Sequence, residues 1–182
     1  PYDLTKDILI EKGIDPDEKN FQKAKRYYEL SYAQDDPRAA YFLGEMYFYG
    51  DGVDPDQNKA LKLIEFSTDR GFDKAEIFLG NTYISGELGV KDFKKGFQLL
   101  DEAASKGNSE ALYALGIIYL NGNHVKKDLE KSFKLFQESA SKNYSRAQYN
   151  VAKFFEDGMY VEKNINRAIA LYQLASKNGL GM

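Results

Sequence analysis

The chain has a single histidine, His124, and no cysteine, which narrows the chemistry its side chains could carry. A transition-metal site wants several imidazole or thiolate ligands, and a His-x-x-x-His pair cannot be written with one histidine. A Ser-His-Asp triad would have to be built on the tip of the loop that holds His124, so that residue reads as a solvated loop histidine. No glycine-rich phosphate loop stands between a strand pattern and a helix pattern. The 28 acidic residues are spread over polar helix faces and helix starts, and nothing marks an inward-facing carboxylate pair. The expectation is therefore a chain without metal, cofactor or catalysis, whose function rests on aromatic and aliphatic side chains at helical spacing.

Those side chains need elements to hold them. With 182 residues, 43% hydrophobic and 14% aromatic, the chain can bury a substantial core. A net charge of -3 gives no electrostatic footprint for nucleic acid. The longest apolar-leaning run, Ala111 to Leu120, is far too short to span a bilayer, and no signal-peptide pattern is present, so no direct membrane insertion is expected. The absence of cysteine leaves the compartment open, whether cytoplasmic, ER-luminal or periplasmic. The chain starts at Pro1 and stops at a repeat border, which reads as a piece of something longer.

The organising feature is a period of 36 residues. Gly50, Gly86, Gly122 and Gly158 are each 36 apart, and Tyr47, Tyr83, Tyr119 and Phe155 keep step. Self-similarity at this spacing is the signature of a solenoid. Asn20, Asp56, Asp92, Asp128 and Asn164 recur in the same register and read as N-caps of a helix B, each followed three residues later by a base: Lys23, Lys59, Lys95, Lys131 and Arg167. Helix B sets Leu63, Leu99, Leu135 and Leu171 beside small residues, from Ala60, Gly96, Ser132 and Ala168 to Ser67, Ala103, Ser139 and Ala175. Large and small residues at fixed places mean that another helix lies close. Asp35, Gly71, Gly107, Asn143 and Gly179 close helix B in left-handed conformation. Asp73, Ser109 and Ser145, with Asp36 followed by Pro37 in the first copy, are expected to cap the next helix, A. Helix A carries Leu43-Gly44, Leu79-Gly80, Leu115-Gly116 and Val151-Ala152; three glycines inside helices at one position imply a backbone contact with the paired helix. Between A and B, Val53, Val90, Val125 and Val161 are expected to anchor the loop by tucking under it. A weak stripe over Asp3–Lys12 and the Gly13–Asp17 stretch, similar to Gly52–Asp56, suggest a degenerate first copy with a longer insertion.

The pattern Ala-x-x-x-Leu-Gly-x-x-Tyr-x-x-Gly, the Gly-Val loop, then Lys-Ala and a small-residue pair before Gly-Asn resembles the Sel-one-like repeat (SLR) family, a relative of the tetratricopeptide repeats. The resemblance covers about Asn20 to Gly179. It implies an all-α fold, a right-handed α/α superhelical solenoid of antiparallel helix pairs with a 36-residue period, and helix A lining the concave side. One SLR domain is expected over 1–182, with a degenerate first repeat over 1–36 and full repeats over 37–72, 73–108, 109–144 and 145–180. Such proteins act as adaptors and scaffolds, in ER-associated degradation ubiquitin ligases as substrate-handling subunits, as activators of cell-wall synthesis, and as bacterial host-interaction proteins. By analogy with tetratricopeptide grooves, the partner-binding residues are Tyr41, Glu45, Phe48, Tyr49, Ile77, Asn81, Ile84, Tyr113, Ile117, Leu120, Asn121, Tyr149 and Lys153. For the Tyr41, Ile77, Tyr113, Tyr149 row, packing between adjacent A helices is the favoured reading over partner contact, whereas for Phe48, Ile84 and Leu120 the two readings weigh equally.

The expected function is thus a protein or peptide partner held in a groove, with aromatic anchors and with Asn81 and Asn121 bonding the partner backbone. The alternatives are an ER-associated degradation adaptor, a bacterial host-interaction or cell-envelope protein, and a hydrolase using groove carboxylates. Gly179-Leu180-Gly181-Met182 occupies the place where another helix A would start, so the last repeat is expected to present an uncapped face, through which the chain could continue or form a homo-oligomer. Asn143-Tyr144-Ser145 has the form of a glycosylation acceptor, but Ser145 reads first as a cap.

Overall fold

The caps decide where helices begin. Asp56 accepts a hydrogen bond from the Lys59 backbone N–H at 2.9 Å, Asp128 from Lys131 at 2.9 Å and Asn164 from Arg167 at 3.0 Å. Each meets one of the orphan donors at a helix start, as the 36-residue register requires. The expected cap at Asn20 and the stretches around Asp3–Lys12, Gly13–Asp17 and Leu180–Met182 lie outside the described residues. The structure, a computed structural model, describes residues 21–179.

Among those residues the helices are α1 (Phe21–Tyr32), α2 (Pro37–Tyr49), α3 (Gln57–Asp69), α4 (Asp73–Ser85), α5 (Phe93–Ser105), α6 (Ser109–Asn121), α7 (Leu129–Ser141), α8 (Ser145–Asp157) and α9 (Ile165–Lys177), and no strand occurs. Helix A of the sequence is α2, α4, α6 and α8; helix B is α1, α3, α5, α7 and α9. The chain divides into two compact units, Pro1–Asp92 and Phe93–Met182. In the first, α1 packs on α2, α2 on α3 and α3 on α4; in the second, each helix from α5 to α9 packs on the next. This is the all-α solenoid of helix pairs that the period implies.

The close approach predicted from the helix-A glycines is direct. A Cβ on Gly44 would lie 2.7 Å from Ile64 Cδ1, and one on Gly116 would lie 2.6 Å from Phe136 Cε1. Small serines on helix B bond the facing backbone: Ser67 Oγ donates to the Pro37 carbonyl at 2.6 Å, Ser139 Oγ to Ser109 at 2.6 Å, and Ser132 Oγ to Gly116 at 2.8 Å. Burying a hydroxyl with a partner avoids the cost of an unsatisfied group while keeping the helices close. The side chains opposite Gly44 and Gly116, Ile64 and Phe136 respectively, lie one residue beyond the leucine row. Ile64, Leu100 and Phe136 are fully buried, whereas Leu99, Leu135 and Leu171 are half-buried.

Loop length varies but the period does not, and the backbone shows why. The cap residue of each helix B donates its N–H to the carbonyl of the helix-A aromatic in all four copies: Asp56 to Tyr47, Asp92 to Tyr83, Asp128 to Tyr119 and Asn164 to Phe155, at 2.8–3.0 Å. This clamp resets the register whatever the loop does in between. Helix A ends at Gly50, Gly86, Gly122 and Gly158, each with φ between +70° and +85°, where a side chain would be strained. The residues that close helix B behave as expected, including Asp35 at φ +62° and Asn143 at φ +64°.

Two expectations need correction. The caps of α4, α6 and α8 are Phe72, Asn108 and Tyr144, one residue before the predicted Asp73, Ser109 and Ser145. Asn108 caps with its side chain, accepting from Glu110 and Ala111; Phe72 and Tyr144 instead put their rings against Tyr41 and Tyr113, with centroids 5.3 Å apart in both cases. Packing there takes the place of a side-chain cap. Asp36 does cap α2, accepting from the Arg38 N–H at 2.9 Å, with Pro37 next to it. In the loop after α4, Val90 is 44% exposed and Leu88 is the buried anchor, because the extra residue of that loop shifts which side chain points inward.

Candidate functional site

The helix-A face of the first unit is built from α2 and α4. Tyr41 and Ile77, both expected in the groove, lie in the core instead. The Tyr41 ring is enclosed by Phe42, Phe72 and Phe78, and its hydroxyl donates to Glu45 Oε1 at 2.7 Å. Burial pushes the Glu45 carboxyl above its ordinary pKa against that hydrogen bond, so Glu45 is a half-buried acceptor already engaged by its own helix. Farther along α2 the aromatics reach outward. Phe78 holds Phe48 edge-on at 5.2 Å, Phe48 holds Tyr49 edge-on at 4.7 Å, and Tyr49 is 51% exposed. Ile84 is half-buried and Asn81 exposed on α4.

The second unit presents α6 and α8. Tyr113 is half-buried between Phe136 and Tyr144, while Ile117 and Leu120 are half-buried and Asn121 is exposed. Tyr149 is 37% exposed, its ring 5.1 Å from Tyr172 on α9. Lys153 pairs with Glu156 at 3.3 Å and Asp157 at 3.6 Å. The Tyr172 hydroxyl donates to Glu156 at 2.6 Å. That hydrogen bond, then Lys153, holds the Glu156 carboxyl below its ordinary pKa. Each unit therefore carries an exposed tyrosine and half-buried aliphatic side chains on its helix-A elements.

One repeating pair escaped the sequence reading. Lys59 Nζ stands 4.1 Å over the Tyr47 ring and donates to its hydroxyl; Lys131 does the same over Tyr119 at 4.2 Å, and Arg167 lies 4.8 Å over Phe155. The signal was available: base and aromatic keep a separation of 12, and phenylalanine appears where the base is arginine. These cation–π contacts tie helix A to the start of helix B. In the second copy the Tyr83 hydroxyl donates to Glu65 at 2.8 Å. His124 is exposed and stacks on Phe93, with centroids 4.7 Å apart, which makes it a ring contact of the loop. An open depression of about 1150 Å³ lies on the first unit, lined by Gln22, Lys25, Tyr47, Asp54, Gln57 and Lys59 among others, and none of the groove residues named above borders it. Among the described residues no group of histidine, cysteine and carboxylate ligands could hold a metal ion, and no helix is long and apolar enough to cross a membrane.

The family model for the Sel1 repeat matches residues 8–36, 37–72 and 145–180, more than half of the chain. The chain belongs to the Sel1 repeat family. The model described as plant tetratrico peptide repeats also matches, over residues 83–156. Among solved structures, a Sel1 repeat protein from Oxalobacter formigenes is 29% identical with a TM-score of 0.75, over 90% of this chain and 69% of its own. An immunity protein from Pseudomonas aeruginosa is 27% identical with a TM-score of 0.63, over 85% of this chain and 57% of its own. A protective antigen of uropathogenic Escherichia coli with an SLR fold is 22% identical, TM-score 0.78, over 98% of this chain and 38% of its own, and shows the fold alone. The chain thus spans from about two fifths to about two thirds of these relatives. Among curated proteins none matches significantly. Sel1 and tetratricopeptide-type repeats generally serve as protein–protein interaction scaffolds without catalysis.

Proposed function

We propose that this Sel1 repeat chain is an adaptor module that binds a segment of a partner protein on its helix-A face and catalyses nothing itself. The observation that carries the reading is the aromatic ladder Phe78–Phe48–Tyr49, which runs from two half-buried rings to a ring 51% exposed. A tyrosine held edge-on by the half-buried Phe48 ring loses little freedom on binding, and that is what an interface anchor needs. Tyr149 beside Tyr172 supplies a second anchor on the second unit. Phe48 and Ile84 add apolar area on the first unit, Ile117 and Leu120 on the second, and Asn81 and Asn121 can each bond a partner backbone on its own unit. Tyr41, Ile77 and Tyr113 support these residues from within.

A hydrolase using groove carboxylates would need two of them converging on a substrate. Here Glu45 is taken by Tyr41, and Glu156 by Tyr172 and Lys153. The relatives of known structure reported above are bacterial, which favours a bacterial role over an ER-associated degradation adaptor; an immunity function, named for the P. aeruginosa relative, is one such role. In the test, tagged wild-type chain captures partners from native lysate and mass spectrometry identifies them, alongside Tyr49→Ala and the triple variant Phe48→Ala, Ile84→Ala, Leu120→Ala. The variants should lose the captured partner while circular dichroism stays unchanged. Capture that survives both sets of substitutions would remove the helix-A face from the proposal.

A further inference from the structure

In a repeat protein whatever the fold requires recurs in every copy, so a feature confined to one copy answers to something else. The loops from helix A to helix B allow that comparison. The first (50–55) carries two acids and no base, the second (86–91) and the fourth (158–163) one of each, and the third (122–127) two lysines, Lys126 and Lys127, and no acid. The third loop also holds His124, whose ring stacks on Phe93 at the start of α5 with centroids 4.7 Å apart and planes 27° apart. Lys94 and Lys95 follow Phe93 directly. Two stretches of chain, 93–95 and 122–127, thus meet through a ring pair, and together they bring four exposed lysines and no carboxylate in a chain whose net charge is -3. The acids next to them have other tasks. Asp92 holds a cap position, Asp128 accepts from the Lys131 N–H at 2.9 Å, and Glu130 pairs with Lys134 at 2.7 Å. The backbone sets His124 apart as well. The residue before the loop valine is left-handed in all four copies, with φ +69° at Gly52, +76° at Gly89, +64° at His124 and +63° at Tyr160. Glycine takes that conformation without strain, whereas a histidine is held there at a cost that the loop itself does not require.

We propose that this loop edge of the second unit, the stacked His124 and Phe93 with Lys94, Lys126 and Lys127 around them, docks an acidic segment of a partner protein that carries an aromatic side chain among its carboxylates. The lysines give the charge complementarity that steers such a segment and fixes its register. The exposed imidazole, backed by Phe93, gives its aromatic a surface to stack on. A nucleic acid is the poorer occupant. Its phosphates would continue past the site, but only one copy is basic, and the following loop holds Glu162. A short acidic segment needs no more than one copy.

The probe is a fluorescent peptide of glutamates around one central tyrosine, titrated against the whole chain by anisotropy, beside a labelled oligothymidylate of equal charge. Saturable binding of the peptide is expected, and it should fade in about 1 M salt, where screening acts within about 3 Å. Lys126→Glu together with Lys127→Glu should weaken it about tenfold or more. His124→Gly should weaken it about threefold or more through the lost stacking, with helix content unchanged because glycine suits the left-handed position, as Gly52 and Gly89 do. The proposal is overturned if the peptide does not bind, or if either set of substitutions leaves its binding intact. Equal or tighter binding of the oligothymidylate would overturn it in favour of a nucleic-acid site. A chain that sediments alone as a dimer, and as a monomer after the two lysine reversals, would overturn it in favour of a second copy. Because Tyr49, Phe48, Ile84 and Leu120 are untouched, this result is independent of the helix-A face.

Discussion

Replacing Gly116 by alanine pits two effects of known size against each other. In an exposed helix the change would stabilise by about 1 kcal/mol, since glycine is the poorer helix former. Here the new Cβ would sit 2.6, 2.7 and 3.1 Å from Phe136 Cε1, Cδ1 and Cζ, where carbon atoms prefer about 3.5–4.0 Å. Phe136 is fully buried, with Tyr113 5.7 Å and Phe154 6.1 Å from its ring centroid, so the ring has little room to turn away. Moving α6 from α7 would instead stretch the Ser132 Oγ to Gly116 carbonyl bond of 2.8 Å. Overpacking of this kind costs about 1–3 kcal/mol, and the crowding here places it at the upper end. The net expectation is destabilisation by about 1–2 kcal/mol, or roughly 2–8 °C in Tm for a chain of this size. Urea and thermal unfolding followed by circular dichroism measure it. Phe136→Leu in the Gly116→Ala background should recover much of the loss, a coupling that a double-mutant cycle reads directly. Ala152→Gly, at the position one period later, should lose about 1 kcal/mol because it gives up helix propensity and relieves nothing. A Gly116→Ala protein as stable as wild type, or more so, would refute the close-approach argument.

The corrected caps give a second test by the same unfolding assay: Asp128→Ala and Asn108→Ala should each cost about 1 kcal/mol, whereas Ser145→Ala should stay within about 0.5 kcal/mol. Burial pushes the Tyr144 hydroxyl up to about 12, while an unfolded tyrosine titrates near 10. With the folded value raised, its contribution is complete below the unfolded pKa and is lost as pH rises through the folded one. Unfolding midpoints should therefore fall between about pH 10 and 12, and Tyr144→Phe should flatten that fall; an unchanged slope would remove Tyr144 as its source.

What the sequence alone determined about this protein is whatever the chain decides locally. The 36-residue period, the caps at Asp56, Asp128 and Asn164, the left-handed closures at Asp35 and Asn143 and the contact glycines could all be read because each depends on backbone conformation or one facing helix. The tertiary structure decided the rest. Only packing shows that Tyr41 and Ile77 are enclosed while Tyr49 and Tyr149 are exposed, since helix periodicity fixes direction from the axis but not what stands opposite. Only the fold shows that Phe72 and Tyr144 start their helices through ring contacts, or that Lys131 lies over Tyr119. Those outcomes depend on groups far apart in the chain, and local rules carry no information about what tertiary contact will bring together.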